Sequence, residues 1–238
     1  MVEEYGLRAD SGGPGQWRGG TGLVFTVRVL KEGCAVLGRG LERFVFRPWG
    51  VAGGAAATCS RVILNRDTAA ERELGKIDVL ELHEGDTVTF MTPGGGGYGD
   101  PFRRDPMAVL SDAQRGFVSV AAAERDYGVV LRNGAVDSAA TSALRARPRS
   151  PRPMIDFGPE RLRWESVFDD ASMLALNRAL MALPTAARAR RRRAVFYEVA
   201  PALALPGAVD MARIIDDPPG QRARLAAAIA RLSGRRAA

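Results

Sequence analysis

Thr21-Gly22-Leu23-Val24-Phe25-Thr26-Val27-Arg28-Val29-Leu30 decides how the first part of the chain is read. β-branched and aromatic residues alternate with period two, placing Leu23, Phe25, Val27 and Val29 on one face of a strand. Val24 and Leu30 on the opposite side predict cover on both faces. Outward from this segment, further strands are expected at Arg43–Arg47, Ser60–Leu64, Ile77–Leu82 and Thr87–Thr92, with glycine, Asn65-Arg66-Asp67 and Glu84-Gly85-Asp86 between them. Short strands separated by tight breaks suit an antiparallel sheet better than alternating strand–helix units. Glycine marks the extent of this region, with 22 of the 27 glycines in residues 1–131.

Beyond Pro101 the pattern turns helical. Asp105-Pro106 has the form of an N-cap followed by proline at the first helical position, and Ser111 or Asp112 is a second candidate cap. Ser119 caps a segment that Gly128 stops, and Asn133-Gly134 reads as a turn after a brief strand at Gly128–Leu131. Asp137 leads into a helix over Ser138–Arg147. The Pro/Arg-rich stretch 147–153 is the expected linker, separating a region 1–146 from a helical, basic segment 154–238. Within the latter, helical spacing covers Glu160–Leu183 with a break near Asp169-Asp170, then Ala186–Val199 and Gln221–Leu232. The expected class is therefore α+β: a glycine-rich, mainly antiparallel β core followed by a helical C-terminal segment.

The 238-residue chain is 46% hydrophobic and 26% charged, an ordinary globular composition that excludes a wholly disordered chain and a collagen-like repeat. No apolar run reaches the length of a membrane span and Met1-Val2-Glu3-Glu4 carries no secretory signal, so a cytoplasmic location is expected. Cys34 and Cys59 lack metal-ligand spacing and are expected to be free thiols packed as small hydrophobes. The net charge of +7 is unevenly placed: residues 1–131 hold 15 basic and 17 acidic groups, residues 132–238 hold 19 and 10. Only Lys31 and Lys76 are lysines. An arginine excess of this kind fits coding bias better than phosphate recognition, and Arg188 with Arg190–Arg193 reads as a solvated helix face or a site for an acidic protein; nucleic acid is disfavoured.

Two glycine clusters carry the functional question. Asp10-Ser-Gly-Gly-Pro-Gly-Gln-Trp-Arg-Gly-Gly-Thr-Gly22 holds six glycines and a proline. It permits tight turns and close backbone approach, with Trp17 as a possible core plug and Arg18 suited to an anion or carboxylate. Thr92-Pro-Gly-Gly-Gly-Gly-Tyr-Gly-Asp-Pro101 follows a strand but lacks the phosphate-binding registers Gly-Lys-Ser/Thr and Gly-x-Gly-x-x-Gly. A loop lining a substrate cavity or packed against a partner is the better reading. The candidate cavity or contact residues are Asp10, Arg18, Gly19, Gly20, Gly94, Gly95, Gly96, Gly97, Tyr98 and Asp100. His83, the only histidine, has no partner at ligand or triad spacing, so neither a self-contained metal site nor a catalytic residue can be assigned.

In order along the chain, Tyr5–Gly22, Arg47-Pro-Trp-Gly-Val-Ala-Gly-Gly54, Glu84-Gly-Asp86 and Thr92–Pro101 resemble the C-terminal region of the hydantoinase B/oxoprolinase family. Arg104-Asp-Pro106, Gly116-Phe-Val-Ser119 and Tyr127-Gly-Val-Val130 continue the resemblance through about residue 145. Asp156-Phe-Gly-Pro-Glu-Arg161 is similar to the tail of some members.

The resemblance implies work with a hydantoinase A-type subunit that binds ATP, together opening a cyclic amide such as a hydantoin or 5-oxoproline. Related assemblies carboxylate ketones. ATP and a divalent metal are implied for the full complex, none of them bound by this chain alone. Hydantoinase B-type chains are longer, and the metal-holding residues of related carboxylases lie in an N-terminal region that has no counterpart here. The expected partners are an A-type subunit, an N-terminal hydantoinase B region and a small-molecule substrate, with no membrane. The alternatives are a noncatalytic scaffold fragment or remnant, and a piece of a ketone carboxylase. A domain parted from its neighbour should expose apolar surface around residues 20–30 and 92–101.

Overall fold

A computed structural model describes residues 1–205 and 210–234. It comprises two compact units, Met1–Gly158 and Pro159–Ala238. The fold class is α+β, an antiparallel sheet followed by helices concentrated toward the C-terminus. Among the described residues, no helix is long and apolar enough to cross a membrane.

The first unit contains strands β1 (Val2–Arg8), β2 (Gly22–Arg28), β3 (Cys34–Leu37), β4 (Gly50–Val51), β5 (Arg61–Leu64), β6 (Arg72–Glu73), β7 (Val79–Leu82) and β8 (Thr87–Met91). It continues with helices α1 (Pro106–Gln114) and α2 (Val120–Tyr127), the hairpin β9 (Leu131–Arg132) and β10 (Ala135–Val136), helix α3 (Ser138–Arg145) and strand β11 (Ile155–Asp156). A five-stranded antiparallel sheet runs β1-β2-β8-β5-β6. Its register sets Thr26 opposite both Glu4 and Thr89, and Phe25 opposite Tyr5 and Phe90. One core gathers Val29, Val62, Leu64, Leu82 and Val88, while Val109, Val118, Ala122, Ala123, Tyr127 and Val129 form another beneath α1 and α2.

The central strand behaves as its alternation requires, with a difference of degree. Val24 and Thr26 are more deeply buried than Leu23, Phe25 and Val27, while Leu30 is exposed. The polar member of that face is satisfied because the Thr26 and Thr89 hydroxyls lie 2.9 Å apart and share a hydrogen bond. No strand forms at Arg43–Arg47. Arg43 has φ 65°, which breaks an extended run, and its carbonyl instead accepts the Ser60 amide at 2.9 Å. Strand β1 gave little signal because it is an edge strand whose charged residues, Glu3, Glu4 and Arg8, suit partial solvent exposure. Cys34 is exposed rather than packed, and Cys59 is half-buried; neither forms a disulfide among the described residues.

Helix boundaries follow side-chain chemistry. Asp105 accepts from the Met107 amide with Pro106 next in line, Ser119 accepts from Ala122, and Asp137 from Ala140. Ser111 and Asp112 start no new helix; both lie inside α1. Gly128 stops α2 at φ 61°, and Asn133 and Gly134 take φ 50° and 77° between β9 and β10. In the second unit, α4 (Pro159–Glu165), α5 (Asp170–Met181), α6 (Thr185–Val199), α7 (Met211–Ile214) and α8 (Pro218–Leu232) pack mainly through aliphatic residues and a Trp164, Phe168, Phe196 ring cluster. Gln221 is fully buried there and donates to the Val199 and Ile214 carbonyls at 3.2 and 2.7 Å.

Candidate functional site

The two glycine clusters meet each other. Residues 12–22, 49–57 and 93–99 run side by side, joined laterally by backbone hydrogen bonds. Gly13 donates to Gly95 at 2.8 Å, Gly95 to Gly20 at 2.9 Å, Gly97 to Ala55 at 3.0 Å, Val51 to Gly97 at 2.9 Å and Ala55 to Pro14 at 2.7 Å. Trp17 and Tyr98 exchange a reciprocal pair, each at 3.0 Å. The glycines are required because the chains touch at the backbone: a Cβ on Gly19 would overlap the Gly95 carbonyl, on Gly94 the Ser11 carbonyl, on Gly96 the Trp49 carbonyl and on Gly97 the Pro14 carbonyl. Gly20 differs, with open space where its Cβ would stand.

This arrangement alters the meaning of the glycines. The close approach read from the sequence is made by the chain to itself: the two clusters approach each other, and Gly96 approaches the third segment at Trp49, a segment that composition alone did not mark. The amides of Gly13, Gly19, Gly95, Gly97 and Gly99 all donate to carbonyls of the chain, so none of these five is available to cradle a phosphate. Among the described residues, no group of three or more His, Cys, Asp or Glu could hold a metal ion. These five amides therefore offer no phosphate cradle, and no chemical step is assigned through ATP or a metal ion.

The charged candidates lie around this knit. Asp10, at φ 55°, donates its amide to Phe117 at 3.0 Å and accepts the Ser119 amide on its carboxylate at 2.7 Å, tying the first cluster to the start of α2. Arg18 is engaged by a carboxylate of the chain itself: Nε donates to Asp112 at 3.1 Å, and Arg104 donates to the same oxygen at 2.8 Å. All three side chains are at most 15% exposed. Arg104 also reaches the Gln16 carbonyl at 3.0 Å, while its buried Nε has no hydrogen-bond partner. Burial pushes the neighbouring Tyr127 phenol well above its ordinary range, which keeps it neutral.

Asp100 sits at the open side. Its carboxylate accepts the Phe102 amide at 3.0 Å and pairs with Arg149 at 3.3 Å and Arg152 at 3.8 Å. Arg149 also lies over the Phe102 ring, 3.9 Å from its centroid. Burial acts to raise the Asp100 pKa, but the Phe102 amide and the two arginines outweigh it and hold the carboxyl below its ordinary value. These groups line a cavity of about 570 Å³ with Ala52, Gly53, Ser150, Pro151 and Met154. The cavity thus presents an ionised carboxylate beside two guanidinium groups, a set suited to polar recognition. Arg149 and Arg152 are the members that residue-by-residue reading missed; the arginine-rich stretch 147–153 was the available signal.

The remaining sequence candidates make other contacts. His83 is exposed, its Nδ1 3.3 Å from Glu32. In α6, Arg188 caps the end of α5 by donating to the Leu183 and Met181 carbonyls at 2.9 and 3.1 Å, and Arg192 donates to Asn177 at 2.9 Å. Arg190, Arg191 and Arg193 are exposed.

Comparison with known proteins agrees with this architecture. The family model "Hydantoinase B/oxoprolinase" matches residues 1–101. The beta chain of the Pseudomonas jessenii caprolactamase is 38% identical over 61% of this chain and 26% of its own length. The B component of a putative D-/L-hydantoinase from Pseudomonas sp. (strain NS671) is 32% identical over 60% of this chain and 24% of its own. The crystal structure of the ATP-dependent caprolactamase from P. jessenii superposes with a TM-score of 0.51 and 35% identity, covering 61% of this chain and 26% of that one. The chain thus spans about a quarter of the curated relatives it matches. With the glycine segments and the sheet that presents them both inside the matched region, residues 1–101 belong to the hydantoinase B/oxoprolinase family.

Proposed function

We propose that this chain forms the C-terminal part of a hydantoinase B-type subunit in an ATP-dependent enzyme that hydrolyses a cyclic amide. The observation that carries the reading is the 38% identity to the caprolactamase beta chain over 61% of this chain. Caprolactam and hydantoins share an amide bond inside a ring, which defines the substrate class. An A-type subunit that binds ATP, and the rest of a B-type subunit, would supply the reacting groups. This chain would contribute a stiff wall whose backbone is fixed by interlocking glycines, with the Asp100–Arg149–Arg152 cavity as its polar recess. Such fixed positioning favours catalysis by lowering the loss of freedom when reactants are brought together.

Reconstitution tests the reading. The purified chain is expected to show no hydrolysis of caprolactam or hydantoin with ATP. Activity should appear when an A-type subunit and the complementary B-type region are added. Turnover by the chain alone, or no contribution of the chain to a reconstituted mixture, would overturn it.

A further inference from the structure

We infer that Trp17, Tyr98, Val51 and Ile155 form a docking ridge for the rest of a hydantoinase B-type subunit. The backbone pairings put these four residues in one row. Trp17 pairs antiparallel with Tyr98, Tyr98 pairs parallel with Val51, and Val51 pairs antiparallel with Ile155. Paired residues on neighbouring strands project from the same side, so the four side chains line a single face across four chain segments. Trp49 and Phe157, two positions from Val51 and Ile155, extend that face, and their rings are 6.1 Å apart.

This apolar row is largely open to solvent. Trp17 is 66% exposed and Tyr98 56%. Trp49, Ile155 and Phe157 are each at least 40% exposed. Trp17 is therefore no core plug. Single exposed apolar residues are ordinary, but a contiguous patch containing two tryptophans and a tyrosine has the composition of an interaction centre. The frame beneath it is already rigid, because the reciprocal Trp17–Tyr98 hydrogen bonds and the overlapping glycine backbones fix both loops. Little ordering would be needed on binding.

The occupant follows from how much of its relatives this chain spans, and in this respect the inference rests on the proposed function. Trp17, Trp49, Val51 and Tyr98 all lie in the family-matched residues 1–101, while the matched part of the caprolactamase beta chain makes up only 26% of that protein. The remaining three quarters of such a protein is the partner available wherever this module occurs in that context. Its contact surface should be apolar at the centre, to receive the indole and phenol rings.

The test uses the full chain and, as probe, the P. jessenii caprolactamase beta chain with its matching quarter removed. Binding should bury Trp17 and shift tryptophan emission to the blue. Trp17→Ser combined with Tyr98→Ser should weaken the complex by about 30-fold or more, as loss of central interface aromatics does. Both side chains project outward, and circular dichroism checks that the variant keeps its fold. Equal binding by the variant would overturn the ridge while leaving the proposed function intact. No complex with the unaltered chain would overturn both. Self-association of the chain alone, abolished by the double substitution, would assign the ridge to a second copy instead and overturn the chosen occupant.

Discussion

Gly96 and Gly20 belong to clusters that look alike on paper, yet the structure gives them opposite tolerances. A methyl on Gly96 would collide with the Trp49 carbonyl, an atom held in backbone and unable to rotate away; a methyl on Gly20 meets nothing. Gly96→Ala is expected to lower stability by about 3 kcal/mol or more, at or beyond the upper end of ordinary overpacking, while Gly20→Ala stays within about 0.5 kcal/mol. Urea midpoints of the two variants decide the point. At Asp100 the relevant variable is pH. Its folded-state pKa lies below the ordinary 3.8, so its stabilising contribution is complete above that value and is lost as pH falls through the lower folded-state value. Asp100→Asn should therefore flatten the acid limb of a stability–pH curve below about pH 4 relative to the parent chain.

At the scale of elements, the sequence was most legible where one side chain acts locally. Asp105, Ser119 and Asp137 cap helices at the positions their types indicate, Gly128 ends α2 as expected, and the break expected near Asp169-Asp170 is where Asp169 caps α5. Legibility failed where a distant contact decided the outcome. Arg43–Arg47 has strand composition but is turned by Arg43 and held at Ser60, and β4 and β11 are two-residue strands defined by each other across about a hundred positions. The candidate site divides in the same way. The glycines announced close approach, but no local rule tells which of three separated segments approaches which. Arg18 could be matched to a carboxylate by type, while its identity as Asp112 depends on where α1 lands. That pairing locks the first glycine loop to α1. Asp112→Ala would leave two buried guanidiniums facing each other and should destabilise by about 3–5 kcal/mol, whereas Glu198→Ala, which breaks an exposed pair with Arg231, should remain under about 1 kcal/mol. Thermal and urea unfolding of both variants provides the comparison.

For the molecule as a whole, charge and surface point in different directions. The net charge of +7 and a pI near 10.2 invite nonspecific adhesion to polyanions. Arg188 and Arg192 are engaged within the second unit, leaving Arg190, Arg191 and Arg193 as exposed cations of that run. Binding to random duplex DNA is expected at about 10 mM salt and should vanish near 150 mM, where the screening length falls to about 8 Å. A fluorescence-anisotropy salt titration reads this directly, and retention at the higher concentration would mark a dedicated phosphate surface. Composition forecast the basic tail, and exposed apolar residues do occur in both expected windows, at Leu30 and Tyr98. The larger part of that surface, Trp17 and Trp49, lay outside those windows because strand pairing, rather than proximity along the chain, gathers it.

The knit of three glycine segments also constrains how the chain reaches its native state. None of the segments can complete the arrangement by itself: Gly13 awaits Gly95, Gly97 awaits Ala55, and Ala55 awaits Pro14. A ribosome that has released only the first fifty residues has exposed a tract with no lateral partner. Closure over some eighty residues must precede the reward, so the knit is a late, all-together event in folding.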